Sequence, residues 1–195
     1  SVKTLVSEDE EEEAAEEAEA EMHKHDLVKL TDKTLHSAIS KCLKEDPVTG
    51  NCDKFAASSG YGVMSHWDTS EVTDMKKAFY KREDFDGDIS QWDTGSVTNM
   101  MYMFFGAKNF DHFIGSWDVS NVSNMTSMFQ YSFFNQDISS WNVTGVQSMS
   151  YMFKTSSFNQ NISNWGVTHI ESEPHDFATD SPLAQSNKPM WGELS

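Results

Sequence analysis

The sequence is poor in basic residues and has no long apolar run. Its 14 Lys and Arg residues face 31 Asp and Glu residues, which gives a formal net charge of −17 at pH 7. A surface of this sign repels phosphate groups, so the composition argues against binding to nucleic acid or an anionic membrane and favours basic protein partners. No run of about eighteen apolar residues occurs, so we predict no transmembrane segment and membrane association only through a partner.

Motifs that mark catalytic and cofactor sites are absent from the sequence. There is no G-x-S-x-G element, no P-loop and no dinucleotide-binding fingerprint. Hydroxyl side chains are plentiful, but turns and helix caps account for them, so their number does not indicate a nucleophile. We therefore predict no enzyme activity and no cofactor.

The sequence has two cysteines, Cys42 and Cys52. Two interpretations are open: a disulfide that closes the short Pro-Val-Thr-Gly turn between them, or a pair of reduced thiols. A disulfide over a loop of this length contributes about 2–3 kcal/mol in loop-entropy estimates. A single C-x9-C pair without well-spaced histidines is not a zinc site, so we predict no structural metal.

Residues 1–26 form an acidic, low-complexity tail. Ten carboxylates lie between Glu8 and Glu21, with almost nothing apolar beside them. Such a segment is typically solvated, disordered or partly helical. The alternative is a docking arm for a basic partner, whose candidate contacts are Glu10, Glu11, Glu12 and Glu13. The chain starts at Ser1 without an apolar leader, which leaves open a removed targeting segment or a fragment of a longer chain.

A period of 24 or 25 residues dominates the rest of the chain. The tryptophan column comprises Trp67, Trp92, Trp117, Trp141 and Trp165, and the methionine column comprises Met75, Met100, Met125 and Met149. Val, Phe and Ile columns keep the same spacing. A period of this length is typical of repeat architectures in which each copy buries its apolar residues against its neighbours. We therefore interpret these columns as layers of one shared core.

The residue pattern within each copy predicts an α/β solenoid of about five coils over residues 61–170. "DISxWDV" favours a short parallel strand, and the M-x-x-M-F spacing favours a short helix opened by a hydroxyl N-cap. Residues 27–60 are the predicted helical N-terminal cap, with an amphipathic helix over 31–45 whose N-cap is Thr31. Residues 171–195 are predicted as a C-terminal cap and irregular tail, because Glu173 replaces the methionine column there.

The copies resemble a known repeat family. "WDVSNVSNMTSMF" followed by "FFNQDIS" is similar to the BspA-like repeats, also called DUF285 or bacterial surface protein repeats, over about residues 61–170. The resemblance implies a relative of leucine-rich repeats, found in bacterial and protist surface proteins and in algae such as diatoms. It also implies an adhesion or protein-binding role without catalytic residues in the repeat. "NFDHFIGSW" and the decayed fifth copy depart from the pattern.

An Asx column follows the tryptophans and is the main candidate for partner binding. Its members are Asp68, Asp93, Asp118 and Asn142. Each side chain either accepts backbone N–H bonds in a turn or belongs to a row aimed at Lys or Arg on a partner. Two weaker sites are calcium at "EDFDGDIS", whose register does not fit an EF-hand, and metal binding by the histidines of "MHKHD" and "HIESEPHD". We interpret the first as a turn and the second as solvated side chains.

Two settings for a non-catalytic interaction module remain open. In the first, the chain is an accessory subunit on a larger complex, for example the stromal face of an algal photosystem in a chloroplast. The second setting is a secreted or cell-surface adhesion domain. N-x-[ST] sequons separate the two settings, because a secretory pathway glycosylates exposed copies; they begin at Asn121, Asn124, Asn142 and Asn161. A threonine row for ice or mineral binding starts at Thr73 and Thr98, but Ser123 and Gln147 break it.

Overall fold

The computed structural model describes residues 27–192, and its helices lie towards the two ends of that range. Helices α1 (Leu35–Glu45) and α2 (Asp53–Ser59) are followed by a 3-10 helix at Met64–His66, and a second 3-10 helix spans Gln185–Asn187. Between the two 3-10 helices the chain has neither helix nor strand. Isolated parallel bridges join Thr31 to Glu71, Asp74 to Asn99, Asn99 to Asn124 and Asn124 to Ser148.

The predicted α/β solenoid, with a strand and a helix in each leucine-rich-like coil, is wrong. The described residues contain no strand, and the M-x-x-M-F stretches are runs of turns. Each run places two residues, four positions apart, in the left-handed region, with φ between 51° and 68°. A right-handed helix cannot continue through such residues. The pairs are Lys77 and Lys81, Tyr102 and Gly106, Ser127 and Tyr131, Tyr151 and Thr155, and Asp176 and Asp180.

Hydrogen bonds between copies explain why the turns replace helices. Alternate N–H groups donate to the next copy: those of Met75, Lys77, Phe79 and Lys81 reach the carbonyls of Asn99, Met101, Met103 and Phe105 at 2.7–3.0 Å. The intervening N–H groups close local turns, as Ala78 does to Met75 at 3.1 Å. A left-handed non-glycine residue costs about 1–2 kcal/mol. The bonds between copies offset that cost, since each contributes about 0.5–1.5 kcal/mol.

Aromatic ladders fill the core between the copies. Phe79, Phe104, Phe129 and Phe153 stack at centroid distances of 5.5–5.7 Å. A second ladder of Phe85, Phe110, Phe134 and Phe158 has spacings of 5.8–6.3 Å. Both ladders are fully buried, as are the four methionines at the predicted core positions, Met75, Met100, Met125 and Met149. One residue type therefore occupies each core layer.

The five tryptophans of the predicted core column are also buried, with exposed fractions of 1–4%. Trp67 stacks on Trp92 at 6.0 Å, and Trp141 stacks on Trp165 at 6.3 Å. From the second tryptophan onwards, each indole N–H donates to a carbonyl of the preceding copy. The acceptors, in order, are the carbonyls of Met64, Ile89, Ile114 and Ile138, at 2.8–3.2 Å. The column is therefore held by both stacking and hydrogen bonds.

Helix α1 begins later than the sequence predicted. Thr34, not Thr31, is its N-cap, because the two threonines form a separate turn in which the Thr34 N–H donates to the Thr31 carbonyl at 3.0 Å. The apolar face of α1 is buried, and it consists of Leu35, Ala38, Ile39, Cys42 and Leu43. A disulfide joins Cys42 to Cys52, with their Cα atoms 5.1 Å apart, and thereby links α1 to the residue before α2. Of the two interpretations of the cysteines, the structure contains the disulfide.

A further run of turns of the same kind lies beyond residue 170, where the sequence pattern fades. The N–H groups of Tyr151, Phe153 and Thr155 donate to the carbonyls of His175, Phe177 and Thr179 at 2.8–2.9 Å. Phe177 is 1% exposed and meets Phe153 edge to face at 5.4 Å. Its position, 24 residues after Phe153, continues the phenylalanine column. The last copy therefore ends in the region that we predicted as a C-terminal cap.

Candidate protein-binding surface

The Asx column forms one turn in each copy. Oδ1 of Asp68, Asp93 and Asp118 accepts the N–H of the residue two positions later at 2.9–3.0 Å. Oδ1 of Asn142 accepts the Thr144 N–H at 3.3 Å and the Thr144 hydroxyl at 2.8 Å. This geometry is an Asx turn, in which a short polar side chain replaces a backbone carbonyl. The turn-forming interpretation of the column therefore describes the structure, and a contact with a partner stays a prediction.

Contacts between copies place neighbouring members of this column side by side. The Thr69 hydroxyl donates to the Asp93 carbonyl at 2.8 Å, and the Thr94 hydroxyl donates to the Asp118 carbonyl at 2.9 Å. A Cβ atom on Gly95 would lie 3.4 Å from Oδ1 of Asp93 and 3.6 Å from Oδ2 of Asp118, so both carboxylates border this glycine. The row is called the acidic edge below; it comprises Asp68, Asp93, Asp118 and Asn142.

Charge on the acidic edge is not neutralised at its centre. Asp93 and Asp118 are exposed, and neither forms an ion pair within residues 27–192. Hydrogen bonds from the Ser120 hydroxyl and then the Ser120 N–H lower the pKa of Asp118, because they stabilise its charged form. Asp118 is therefore ionised at neutral pH. Two exposed like charges beside one glycine repel each other, and a cation placed there relieves that repulsion.

The residues of the suggested calcium loop form hydrogen bonds and close contacts within the chain instead. The Asp86 N–H donates to the Val48 carbonyl at 2.8 Å, and Oδ1 of Asp88 accepts the Ser90 N–H at 2.9 Å. A Cβ atom on Gly87 would collide with the Thr49 carbonyl oxygen, so the backbone needs glycine there. In the part of the chain that the structure describes, no three His, Cys, Asp or Glu side chains are grouped to hold a metal ion.

The two histidines of "HIESEPHD" contact different neighbours. Nε2 of His169 lies 2.8 Å from the Val146 carbonyl oxygen. The His175 ring meets the Tyr151 ring edge to face at 5.0 Å. Neither contact directs the imidazole towards a shared ligand, and both side chains are largely exposed. The histidines of "MHKHD" lie outside the described residues.

Further Asx turns were not identified from the sequence. One row lies four residues before the tryptophans, where Oδ1 of Asp88, Asp137 and Asn161 accepts the N–H of a serine two positions later at 2.9–3.0 Å. Another lies seven residues after them, where Oδ1 of each Asx side chain accepts the N–H two positions later at 2.8–3.1 Å; the acceptor residues are Asp74, Asn99 and Asn124, and the donors are Lys76, Met101 and Thr126. The repeated Asx-Ile-Ser string at the first row is the signal that identifies it. Most exposed Asx residues of the copies thus accept backbone hydrogen bonds that stabilise turns.

A strip of partly exposed rings on the turn run was also missed. Tyr80 stacks on Phe105 at 5.0 Å, and Phe105 meets Tyr131 edge to face at 5.3 Å. Tyr131 is 43% exposed. The Lys77 amine lies over the rings of Tyr80 and Tyr102, 5.3 and 5.7 Å from their centroids. Because the sequence was interpreted as helix here, these side chains were not expected to share a face.

The four tail residues proposed as contacts, Glu10, Glu11, Glu12 and Glu13, lie outside the described residues. Within residues 27–192, every helix is too short or too polar to traverse a bilayer. For these residues, this agrees with the prediction that no segment spans a membrane.

Comparison with known proteins identifies the family. No curated protein and no solved structure matches the chain. The family model described as "Mycoplasma protein of unknown function, DUF285" matches residues 50–165, and a second, overlapping match covers residues 97–191. The first match alone spans more than half of the 195 residues. The chain therefore belongs to the DUF285 family, which is the BspA-like family that its tryptophan-led copies resemble.

Proposed function

We propose that the chain is a non-catalytic protein-binding module whose acidic edge docks a basic surface of its partner. The observation that carries this proposal is the pair Asp93 and Asp118, exposed, adjacent across Gly95 and without ion pairs among the described residues. Their Asx turns fix where each carboxylate points, so a partner meets a charge pattern that is already ordered. Ordered charge gives orientation and a faster encounter with a basic surface.

The polar groups of the copies support a binding role more than a reaction. Asx oxygens accept turn N–H groups, and the hydroxyls of Thr69 and Thr94 donate to backbone carbonyls of the next copy. Serine hydroxyls such as Ser132 and Ser156 are buried and donate within their own turns at 2.8–2.9 Å. Side chains that have structural partners of this kind are poor candidates for a nucleophile or a general base.

For the setting of the module we favour an accessory subunit on a larger complex. Five tryptophan-led copies give a short surface. A short surface fits contact with one permanent neighbour better than it fits the role of a long adhesin. The acidic tail and the acidic edge have the same sign of charge, so both suit a basic docking surface. A membrane or photosynthetic complex, such as one on the stromal side of a thylakoid, is the example that we propose.

The second setting is a secreted or cell-surface adhesion domain. Three of the four sequon asparagines, Asn121, Asn142 and Asn161, are exposed, so a secretory pathway meets accessible acceptor sites. Glycan at Asn142 projects from the end of the acidic edge and obstructs a protein partner there. Intact-mass measurement of the protein from its native cells separates the two settings: unmodified asparagines favour the accessory subunit, and glycan favours adhesion.

The acidic edge is tested by D93N/D118N in the full chain. Asparagine keeps the Oδ1 acceptor of the turn, as Asn142 shows, and removes only the charge. The matched control is D84N/D111N, which removes the same charge elsewhere; Asn135 stands at the position equivalent to Asp111 and keeps its acceptor role. Cells that make the protein express each tagged variant, and extracts in mild detergent are separated by size under native conditions.

We expect the wild type and D84N/D111N to elute with a larger complex and D93N/D118N to shift towards the free chain. Exposed charge pairs contribute about 0.2–1 kcal/mol each, so the double variant should weaken binding about fivefold. The shift should diminish at high salt, because salt screens exposed charges. Equal elution of both variants contradicts a role for the acidic edge, and free elution of all three contradicts the accessory-subunit setting.

A further inference from the structure

A groove between the two helices of the N-terminal cap is lined by positively charged side chains, in contrast to the acidic edge. Its volume is about 480 Å³, and it is called the cap groove below. Lys33 and Lys41 lie on its α1 side with Ser37 between them, while Phe55, Ser58 and Tyr61 form its other side. Lys33, Ser37 and Lys41 are four residues apart, so they follow one face at the start and along the length of α1.

Both lysines of the cap groove are available to bind an anion. Lys33 and Lys41 are exposed, and neither has an ion pair or hydrogen-bonded partner for its amine within residues 27–192. The lysine ion pairs in that range are formed by other lysines, for example by Lys29 with Glu71 at 3.5 Å. The Ser37 hydroxyl adds a donor beside the amines, whereas the Ser58 hydroxyl donates to the Phe55 carbonyl at 3.2 Å. Two amines flanking a hydroxyl donor are suited to a row of carboxylates.

The described chain begins beside this groove. The Val28 N–H donates to the Gly60 carbonyl at 2.9 Å, and a Cβ atom on Gly62 would touch the Leu27 side chain at 3.2 Å. Gly60 and Gly62 adjoin Ser59 and Tyr61, which line the groove. Residue 21, the last of the ten clustered carboxylates, is six positions before Leu27, and six residues span at most about 20 Å.

We propose that the cap groove binds the acidic run of the same chain, residues 8–21, through Lys33 and Lys41. Charge complementarity, the free amines and the short connection to Leu27 together select this occupant. A tethered segment faces its site at an effective concentration of about 1 mM, so a contact with a dissociation constant below about 1 mM is occupied more than half of the time. The proposal is independent of the partner at the acidic edge. It implies that a basic partner of the acidic run competes with Lys33 and Lys41.

The test compares three full-length chains in which the disulfide and the copies are unchanged. K33E/K41E reverses both groove charges. K44E/K54E is the matched control, because Lys44 and Lys54 lie on the same two helices but do not line the groove. A Glu-specific protease cleaves the acidic run, and mass spectrometry follows the cuts within residues 8–21 at low and high salt.

We expect the run in wild type and in K44E/K54E to be cut about tenfold more slowly than in K33E/K41E at low salt, which corresponds to a dissociation constant of about 0.1 mM at an effective concentration of about 1 mM. The difference should disappear at high salt, because the contact is between exposed charges. Equal cleavage in all three chains at low salt overturns the proposal. So does protection that falls on dilution of the protein, since that result assigns the groove to the run of a second copy.

Amide chemical shifts provide an independent measurement that does not depend on folding of the charge-reversed variant. In isotope-labelled wild type, raising the salt concentration should move the signals of Ser37, Ser58 and Ser59. Replacing Glu10, Glu11, Glu12 and Glu13 with glutamine should move the same signals in the same direction. Stationary groove signals in both experiments overturn the proposal.

Discussion

The helical cap and the tryptophan-led body of this protein are stabilised in different ways. The cap, residues 27–66, holds two α-helices, a disulfide and nearly balanced charge, with five lysines against four acidic residues. The body, residues 67–192, has no α-helix and no strand, and its seven basic residues face fifteen acidic ones. The cap combines local helical hydrogen bonds and one cross-link with burial of the apolar face of α1 in the common core, whereas the body depends on contacts between residues about 24 positions apart.

This difference shows that regular secondary structure is not required for a well-packed core. The body satisfies its backbone through turns and bonds between copies, and it buries more rings than the cap does. The charge imbalance is tolerated because the body's carboxylates are spread along Asx turns on the surface, where water and hydrogen bonds stabilise them.

Truncation in the centre of a ladder should have the largest effect. Phe129 is fully buried and stacks on Phe104, Phe134 and Phe153. Phe129→Ala should lower the free energy of unfolding by about 3–5 kcal/mol, because it leaves a cavity shared by three copies. Urea unfolding measures the change. Phe133→Ala is the control: that ring is 57% exposed, and a comparable loss there would contradict the ladder as the source of stability.

Reduction of the disulfide should affect the cap and spare the body. Opening the Cys42–Cys52 loop, of sequence separation 10, removes about 2–3 kcal/mol in the loop-entropy estimate. Hydrogen exchange should show faster exchange at α1 amides after reduction, while Phe104 and Phe129 amides keep their protection. If protection falls equally in both regions, the cap and body unfold as one unit and the contrast between them has no thermodynamic meaning.

Adding a Cβ atom at a left-handed position of the turns should destabilise the protein, whereas removing one at an equivalent position should not. Gly106 has φ of 68°, so Gly106→Ala should cost about 1 kcal/mol. Thr155 occupies the equivalent position with φ of 54° and an exposed side chain, so Thr155→Gly should raise or preserve the thermal midpoint. Thermal unfolding of both variants checks the pair. Destabilisation of similar size in both would contradict backbone strain as the cause.

The acidic edge should make a small contribution to stability that depends on pH. Hydrogen bonds from Ser120 lower the pKa of Asp118 below its unfolded value near 3.9. The contribution is therefore present above the unfolded pKa and is lost as the pH falls through the folded pKa. Urea unfolding at pH 7 and pH 3 should show a smaller loss for Asp118→Asn than for wild type. Identical losses would show that these bonds do not favour the charged form.

Parts of this structure could be predicted from the spacing of residues alone. The tryptophan and methionine columns, with Trp117 and Met125 as examples, belong to the core because a fixed period places like side chains in one layer. The disulfide was one of two interpretations, since a short turn connects the cysteines. The Asx column was identified with its turn role as an alternative, because short polar side chains in this context bond the backbone two residues later.

The conformation between those columns could not be obtained in the same way. Apolar residues at i, i+3 and i+4, as at Met100, Met103 and Phe104, fit a helix, but two successive turns place them on the same side as well. The choice depends on bonds such as that from Tyr102 to Thr126, which join residues 24 positions apart. Single-residue preferences do not encode such bonds, and Tyr102 has no intrinsic preference for a left-handed φ.

The indole column also makes the protein its own optical probe. Rings such as Trp67 and Trp92, 6.0 Å apart and inclined by 15°, are held rigidly in an asymmetric environment, so the folded chain should give a near-ultraviolet circular dichroism signal. Release of the rings on unfolding should abolish that signal without any attached dye. Near-ultraviolet circular dichroism thus offers a label-free means of following denaturation and refolding in dilute solution.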